Sequence, residues 1–247
     1  MCDAVYMGTM FSRFYLTYGN GKRIMNKDYT KILSEFLGTF FLVLTIVGSG
    51  IMGENLSNNN AITLLANSLA TGAMLYVIIS MFINISGAYF NPIVVLSDFI
   101  NKKIDIALSF SFIMAQVSGG ILGCIIANLY FGNELVEFSS NQRLSALTLI
   151  SEIIATFGLV LVIIIIGSIN KEKISIAVAL YITAGYWFTS STSFANPAVT
   201  ISRMFTDTFT GIHPGSVIYF IVAQIIGAVI ATYIGRAIAP LKEQGDG

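Results

Sequence analysis

The sequence predicts an all-α membrane protein of six transmembrane helices and two re-entrant half-helices, arranged as an inverted 3+3 repeat. Three observations carry that reading. The 247 residues are 55% hydrophobic and only 11% charged, with a mean hydropathy of +0.79. Soluble domains carry roughly 25% charged residues, so lipid is the expected solvent. The chain holds six apolar stretches of bilayer length, and two short segments that begin Asn-Pro. A set of motifs also recurs in the same order in each half.

About 20 apolar residues cross a bilayer. The stretches are 32–52, 61–83, 106–131, 144–169, 174–190 and 215–236, the fifth being the shortest. Residues before Ile32 are polar and basic, so no cleavable signal is expected and the first span serves as the insertion signal. Residues 1–31 and 239–247 read as tails. Eleven of the 13 lysines and arginines fall on the side of the termini when the six spans alternate; only Arg143 and Arg203 fall opposite. That asymmetry predicts six crossings with both ends cytoplasmic; the expected location is the plasma or inner membrane. Formal net charge is zero, which gives a nucleic-acid partner no electrostatic support. Cys2 and Cys124 fit neither a disulfide framework nor a metal spacing, and Cys124 reads as a small core residue. No metal, catalytic group or cofactor is expected.

The repeat sets repeat one at 32–131 against repeat two at 144–238. Ser34–Leu44 matches Ser151–Leu161 at seven of eleven positions, among them Ser-Glu and Thr-Phe. Asn91-Pro92 matches Asn196-Pro197, and Ala115-Gln116 with Gly119 matches Ala223-Gln224 with Gly227. Three spans per half is an odd number, so the halves sit upside down relative to each other. Such repeats put a shared site near the midplane on broken helices.

Asn is a preferred N-cap and Pro a preferred first helical residue, so both motifs read as helix starts. Residues 91–101 and 196–206 would each run about 16 Å, half of a ~30 Å hydrocarbon core. Inversion brings one in from each face, tips meeting at the centre. Irregular backbone at that depth is tolerated only when buried or lining a wet cavity, which points to a pore. Each tip carries roughly half a positive charge, and two facing tips repel cations. The Asn91 and Asn196 carboxamides can donate to a passing oxygen, and carbonyls of 84–90 and 189–195 can accept.

The paired Asn-Pro motifs, the Ser86-Gly87-Ala88-x-x-Asn91-Pro92 loop, the two Ser-Glu openings and the two Ala-Gln-x-x-Gly helices resemble the aquaporin and aquaglyceroporin (major intrinsic protein) family. The resemblance covers residues 32 to about 238. It implies a passive channel for water, glycerol-like polyols, urea, or metalloid hydroxides such as arsenous or boric acid. It also implies a homotetramer with one pore per subunit. The pore motifs carry over to Asn91, Pro92, Ile93, Asn196, Pro197 and Ala198. The selectivity filter carries over to Thr71, Ala184, Ser193 and Val199.

Two departures stand out. The family's usual second motif is Asn-Pro-Ala-Arg; here Val199 holds the arginine's place, and Arg203 is four residues on. The four filter residues are small, so the resemblance implies a wide filter like those of nodulin-26-like channels. The alternative is that Arg203 reaches back across one turn. Tyr89 stands where the family commonly has His, and Ile93 replaces Ala.

Glu35 and Glu152 are acids within spans. A proton relay is one reading; their equivalent places in the repeat favour another, in which each accepts hydrogen bonds from its own re-entrant loop. Gln116 and Gln224 read as interhelical hydrogen-bonders, and Gly72, Gly119, Gly123, Gly185 and Gly227 as close-crossing points. Tyr186, Trp187 and Phe188 read as an aromatic belt, and His213 as exposed. A competing function is an ion- or proton-coupled secondary transporter, but coupling needs a titratable group at the midplane and the tips offer asparagines. A membrane enzyme lacks a nucleophile–base pair.

Overall fold

A computed structural model of the chain describes residues 15–18, 22–25 and 27–239. Cys2, Arg13, Lys242 and residues 240–247 of the C-terminal tail lie outside the described residues. The helices are α1 Lys27–Leu56, α2 Asn60–Phe82, α3 Pro92–Ile100, α4 Ile106–Tyr130, α5 Ala146–Ile169, α6 Ile174–Phe188, α7 Pro197–Ser202 and α8 Pro214–Ile238. Short 3₁₀ turns at Lys171–Lys173 and Arg203–Phe205 precede α6 and extend α7.

Five helices, α1, α2, α4, α5 and α8, are long and apolar enough to cross a bilayer. The sixth, α6, has 15 residues, or about 22 Å of helix. It falls short of a full span because the chain leaves it early to form the second re-entrant loop. The half-helices are also shorter than expected. α3 has nine residues and α7 only six before its 3₁₀ turn.

One element is additional to the expected helices. Strands β1 Tyr15–Tyr18 and β2 Lys22–Met25 pair antiparallel, Tyr15 opposite Met25 and Tyr18 opposite Lys22. Two short runs flanking Gly19-Asn20-Gly21 are a local hairpin signal. It lies in the tail and leaves the membrane-spanning part all-helical.

Membrane packing inverts the usual sorting of side chains. Large apolar residues such as Leu69, Phe110, Leu147, Leu180 and Ile218 are more than half exposed on the outside. Glu35, Asn67, Gln116, Glu152, Thr156, Gln224 and Thr232 are buried within. With lipid outside, helix association rests on close packing and interhelical hydrogen bonds.

The two halves pack alike. α1 lies along α4 as α5 lies along α8, and α2 meets α6 across the halves. The glycines set the distance. A Cβ on Gly119 would meet the Phe36 carbonyl, one on Gly123 the Phe40 carbonyl, and one on Gly227 the Ile153 carbonyl. Phe36 and Ile153 follow the two repeated acids, so one contact is built twice. The obstacle is backbone, which cannot rotate aside. Gly119→Val is therefore expected to destabilise by about 3 kcal/mol, the upper end for overpacking. A thermal scan in detergent reads this; an unchanged melting temperature refutes the close crossing.

Candidate functional site

The two Asn-Pro motifs build matching helix starts. Asn91 and Asn196 are N-caps with extended backbone, and Pro92 and Pro197 open the helices. Asn91 Oδ1 accepts from the Ile93 amide at 3.0 Å, and Asn196 Oδ1 accepts from the Ala198 and Val199 amides at 3.0 and 3.3 Å. Capping fixes each carboxamide, so its NH₂ points away from its own helix. Each then donates across the centre: Asn91 Nδ2 to the Ala195 carbonyl at 2.7 Å, Asn196 Nδ2 to the Phe90 carbonyl at 2.8 Å. The carboxamides are expected to donate to a passing oxygen; one N–H of each instead ties the halves together, which leaves the other for a solute.

The loops leading to the tips share an unusual backbone. Gly87, Ala88 and Phe90 in one loop have positive φ, as do Thr192, Ser193 and Ala195 in the other. These are equivalent positions, counted back from each Asn. Non-glycine residues there cost of order 1–3 kcal/mol each, so surrounding structure must hold them. The holders are the repeated acids. Glu35 Oε1 accepts from Ser86 Oγ at 2.6 Å and the Tyr89 amide at 3.0 Å; Oε2 accepts from the Phe90 amide and Gln116 Nε2, both at 2.7 Å. Glu152 Oε1 accepts from the Ala195 amide and from Gln224 Nε2. Oε2 of Glu152 accepts no well-formed hydrogen bond among the described residues, the Ser191 hydroxyl and the Phe194 amide approaching the carboxylate more loosely. Gln116 and Gln224 thus make the interhelical bonds expected of them, with these acids as acceptors. With the amides so occupied, the carbonyls are left over. Among the described residues no donor reaches those of Gly87, Ala88, Tyr89, Thr192, Ser193 or Phe194.

A cavity of about 680 Å³ runs along this strip. Its wall opposite the loops is apolar, formed by Leu42 and Ile46 of α1, Leu75 and Ile79 of α2, and Val178 and Ile182 of α6. At the face where α1 starts, Lys103, Lys171 and Arg236 border it. Asp98 there pairs with Lys103 at 3.0 Å and accepts from the Tyr89 hydroxyl at 3.0 Å, so the tyrosine in the family's His place is tied to α3. Toward the other face the cavity is bordered by Thr71, Tyr186, Ser193, Phe194, Val199 and Arg203. The mid-depth tips contribute asparagines and no carboxylate.

Of the carried-over filter positions, Thr71, Ser193 and Val199 line the cavity. Ala184 does not: it is exposed on the outer side of α6. The reason is helical phase. Ile182 and Tyr186, four apart, turn inward, and a residue two from either sits about 200° round the helix. Tyr186 occupies the inner place. It is only 4% exposed, and its hydroxyl lies 3.1 Å from Thr71 Oγ1. Trp187 and Phe188 are 49% and 55% exposed on the outside, whereas Tyr186, expected in the same belt, turns inward. The signal that could have found it is the four-residue spacing from Val178 through Ile182. Arg203 borders the cavity too. Its guanidinium carbon sits 3.6 Å from the Phe194 ring centroid, and Nε donates to the Thr210 carbonyl. His213 is half-buried rather than exposed and caps α8, Nδ1 accepting from the Gly215 amide at 3.0 Å.

Two half-helices entering from opposite faces and meeting beside one continuous cavity define a membrane channel. The profile of the major intrinsic protein family matches residues 23–172 and 166–245. The chain is 42% identical over 206 residues to aquaglyceroporin AqpS of Rhizobium meliloti (strain 1021), covering 83% of this chain and 88% of that one. It is 29% identical over 216 residues to aquaporin TIP1-2 of Zea mays, covering 82% and 83%. The fold is similar to that of the aquaglyceroporin from Plasmodium falciparum, with a TM-score of 0.69, 24% identity, and 85% and 96% of the two chains covered. The chain belongs to the major intrinsic protein family, whose members are channels.

Proposed function

We propose that the chain is a passive pore for small uncharged polar solutes larger than water, with glycerol-like polyols as the leading class and urea and metalloid hydroxides within the same reach. The observation that carries this reading is the filter region. Val199, with no polar group, stands in the family's arginine slot, beside Thr71, Ser193 and Tyr186. A hydroxylated solute gives its hydrogens to the unpaired loop carbonyls and rests its carbon side on the apolar wall of α1, α2 and α6. The remaining N–H of each tip asparagine then serves the solute's oxygen. A cation meets two positive helix ends instead. Pro92, Ile93, Pro197 and Ala198 shape the tips, and Glu35 and Glu152 hold the loops.

The charge asymmetry of the sequence supports a cell-membrane protein with both termini cytoplasmic. Resemblance to the family supports a homotetramer with one pore per subunit.

Stopped-flow light scattering on proteoliposomes is the test, with water and then glycerol as the permeant. Val199→Arg should lower the glycerol-to-water permeability ratio by about tenfold, which is about 1.4 kcal/mol of barrier. An unchanged ratio would remove Val199 from the filter, and a wild-type protein passing no solute larger than water would sink the proposal.

A further inference from the structure

We infer that Arg203 is the cation-excluding residue of this pore, its guanidinium held against Phe194 with its terminal nitrogens open to the cavity one helical turn beyond Val199. The inference deepens the proposed function and rests on it.

Val199 and Arg203 are four apart, and so on one face of the α7 segment. Four residues of helix advance about 6 Å, which sets Arg203 between Val199 and the far mouth. The side chain is not free to wander. Its backbone is fixed by the 3₁₀ turn Arg203–Phe205, and its carbonyl accepts from the Ile212 amide at 3.2 Å. The guanidinium lies on Phe194 and spends Nε on the Thr210 carbonyl. A planar guanidinium can stack on a ring and donate in its own plane at once, which an ammonium cannot.

Those contacts leave part of the group unused. Arg203 is 2% exposed, yet Nη1 and Nη2 have no acceptor among the described residues, and neither is among the enclosed atoms that lack a partner. The space they reach is the cavity that Arg203 lines. The ion pairs among the described residues are Lys31–Asp28 and Lys103–Asp98, so no carboxylate is in direct contact with it; Glu152 acts on it only from a distance. Arg143 makes the contrast. It approaches the same ring at 5.4 Å, but its Nε and Nη2 donate to the Gly211 and Phe209 carbonyls, and it does not border the cavity. One of the two arginines fastens the outer loop; the other faces the solute. A charge with no contact ion pair in a low-dielectric wall repels a passing cation while offering a neutral hydroxyl two donor nitrogens. Moving the charge one turn outward keeps this repulsion and leaves the Val199 level wide.

The full chain in proteoliposomes tests this, with potassium efflux and glycerol permeation measured on one preparation. Arg203→Gln and Arg203→Met should each raise the potassium-to-glycerol permeability ratio by about tenfold or more, and Arg203→Lys, which keeps the charge, should stay within about threefold of wild type. A neutral variant as potassium-tight as wild type would overturn the inference, as would Arg203→Lys leaking like Arg203→Gln. So would failure of both neutral variants to insert, which would assign Arg203 to assembly. A wild-type protein that passes no glycerol refutes the proposed function instead, and is read before any variant is made.

Discussion

Replacing Glu35 with Gln is expected to leave little folded channel, whereas the same change at Glu152 should cost about half as much. The two acids hold equivalent places, but their oxygens are not equally occupied. Both oxygens of Glu35 carry two donors each. A glutamine has one acceptor oxygen, so two of the four donors would face an NH₂ group. Each stranded buried donor costs about 1–3 kcal/mol, and together about 4 kcal/mol. At Glu152 the two well-formed hydrogen bonds, from the Ala195 amide and Gln224, converge on Oε1, and Oε2 accepts none. A glutamine that keeps both bonds turns its NH₂ toward the Ser191 hydroxyl and the Phe194 amide, which are less tightly engaged than the donors to Glu35, so the expected loss is about 2 kcal/mol. Size-exclusion recovery and thermal stability in detergent read the difference. Equal losses would show that the asymmetry between the repeats has no energetic weight. Loss of the proton-accepting group without loss of fold, but with loss of flux, would revive a relay role for Glu35.

The second large effect lies at the tips. Asn91→Ala removes an N-cap, worth about 1 kcal/mol, and strands the buried Ala195 carbonyl, worth about 1–3 kcal/mol more. Asn196→Ala does the same to α7 and Phe90. Each is expected to cost about 3 kcal/mol and to lower glycerol flux by more than about tenfold, since the tips part and the lane loses its shape. The two crossing bonds span one junction, so removing the second should cost less than removing the first. A double variant should fall short of the sum by about 1 kcal/mol. Strict additivity in thermal scans would mean that the two bonds act independently.

Much of this is legible in the sequence, and the reason differs from element to element. The half-helix starts at Asn91 and Asn196 are written in local chemistry, because cap and first-turn proline act within three residues. The inverted arrangement followed from counting spans between repeated motifs. Ala184 failed because a residue's face on a short helix depends on phase, which spacing carried across a loop does not fix. Tyr186 is masked by its neighbours: Trp187 and Phe188 are exposed on the outside, and the inward turn between them and Ile182 is a matter of one helical step. The crossing bonds of Asn91 and Asn196 join residues 104 and 106 positions apart, and a contact of that range leaves no trace in either motif alone. Arg203 could be located by sequence, but not its ring partner, because Phe194 lies on the far side of the tip.

The reciprocal clasp between the tips also bears on how the channel is made. Residues of the first repeat leave the ribosome with their carboxamide unmatched, because the carbonyl it needs belongs to Ala195. Until that later stretch is inserted, neither tip has its counterpart and no lane exists. A chain cut before Ala195 is therefore expected to form no lane.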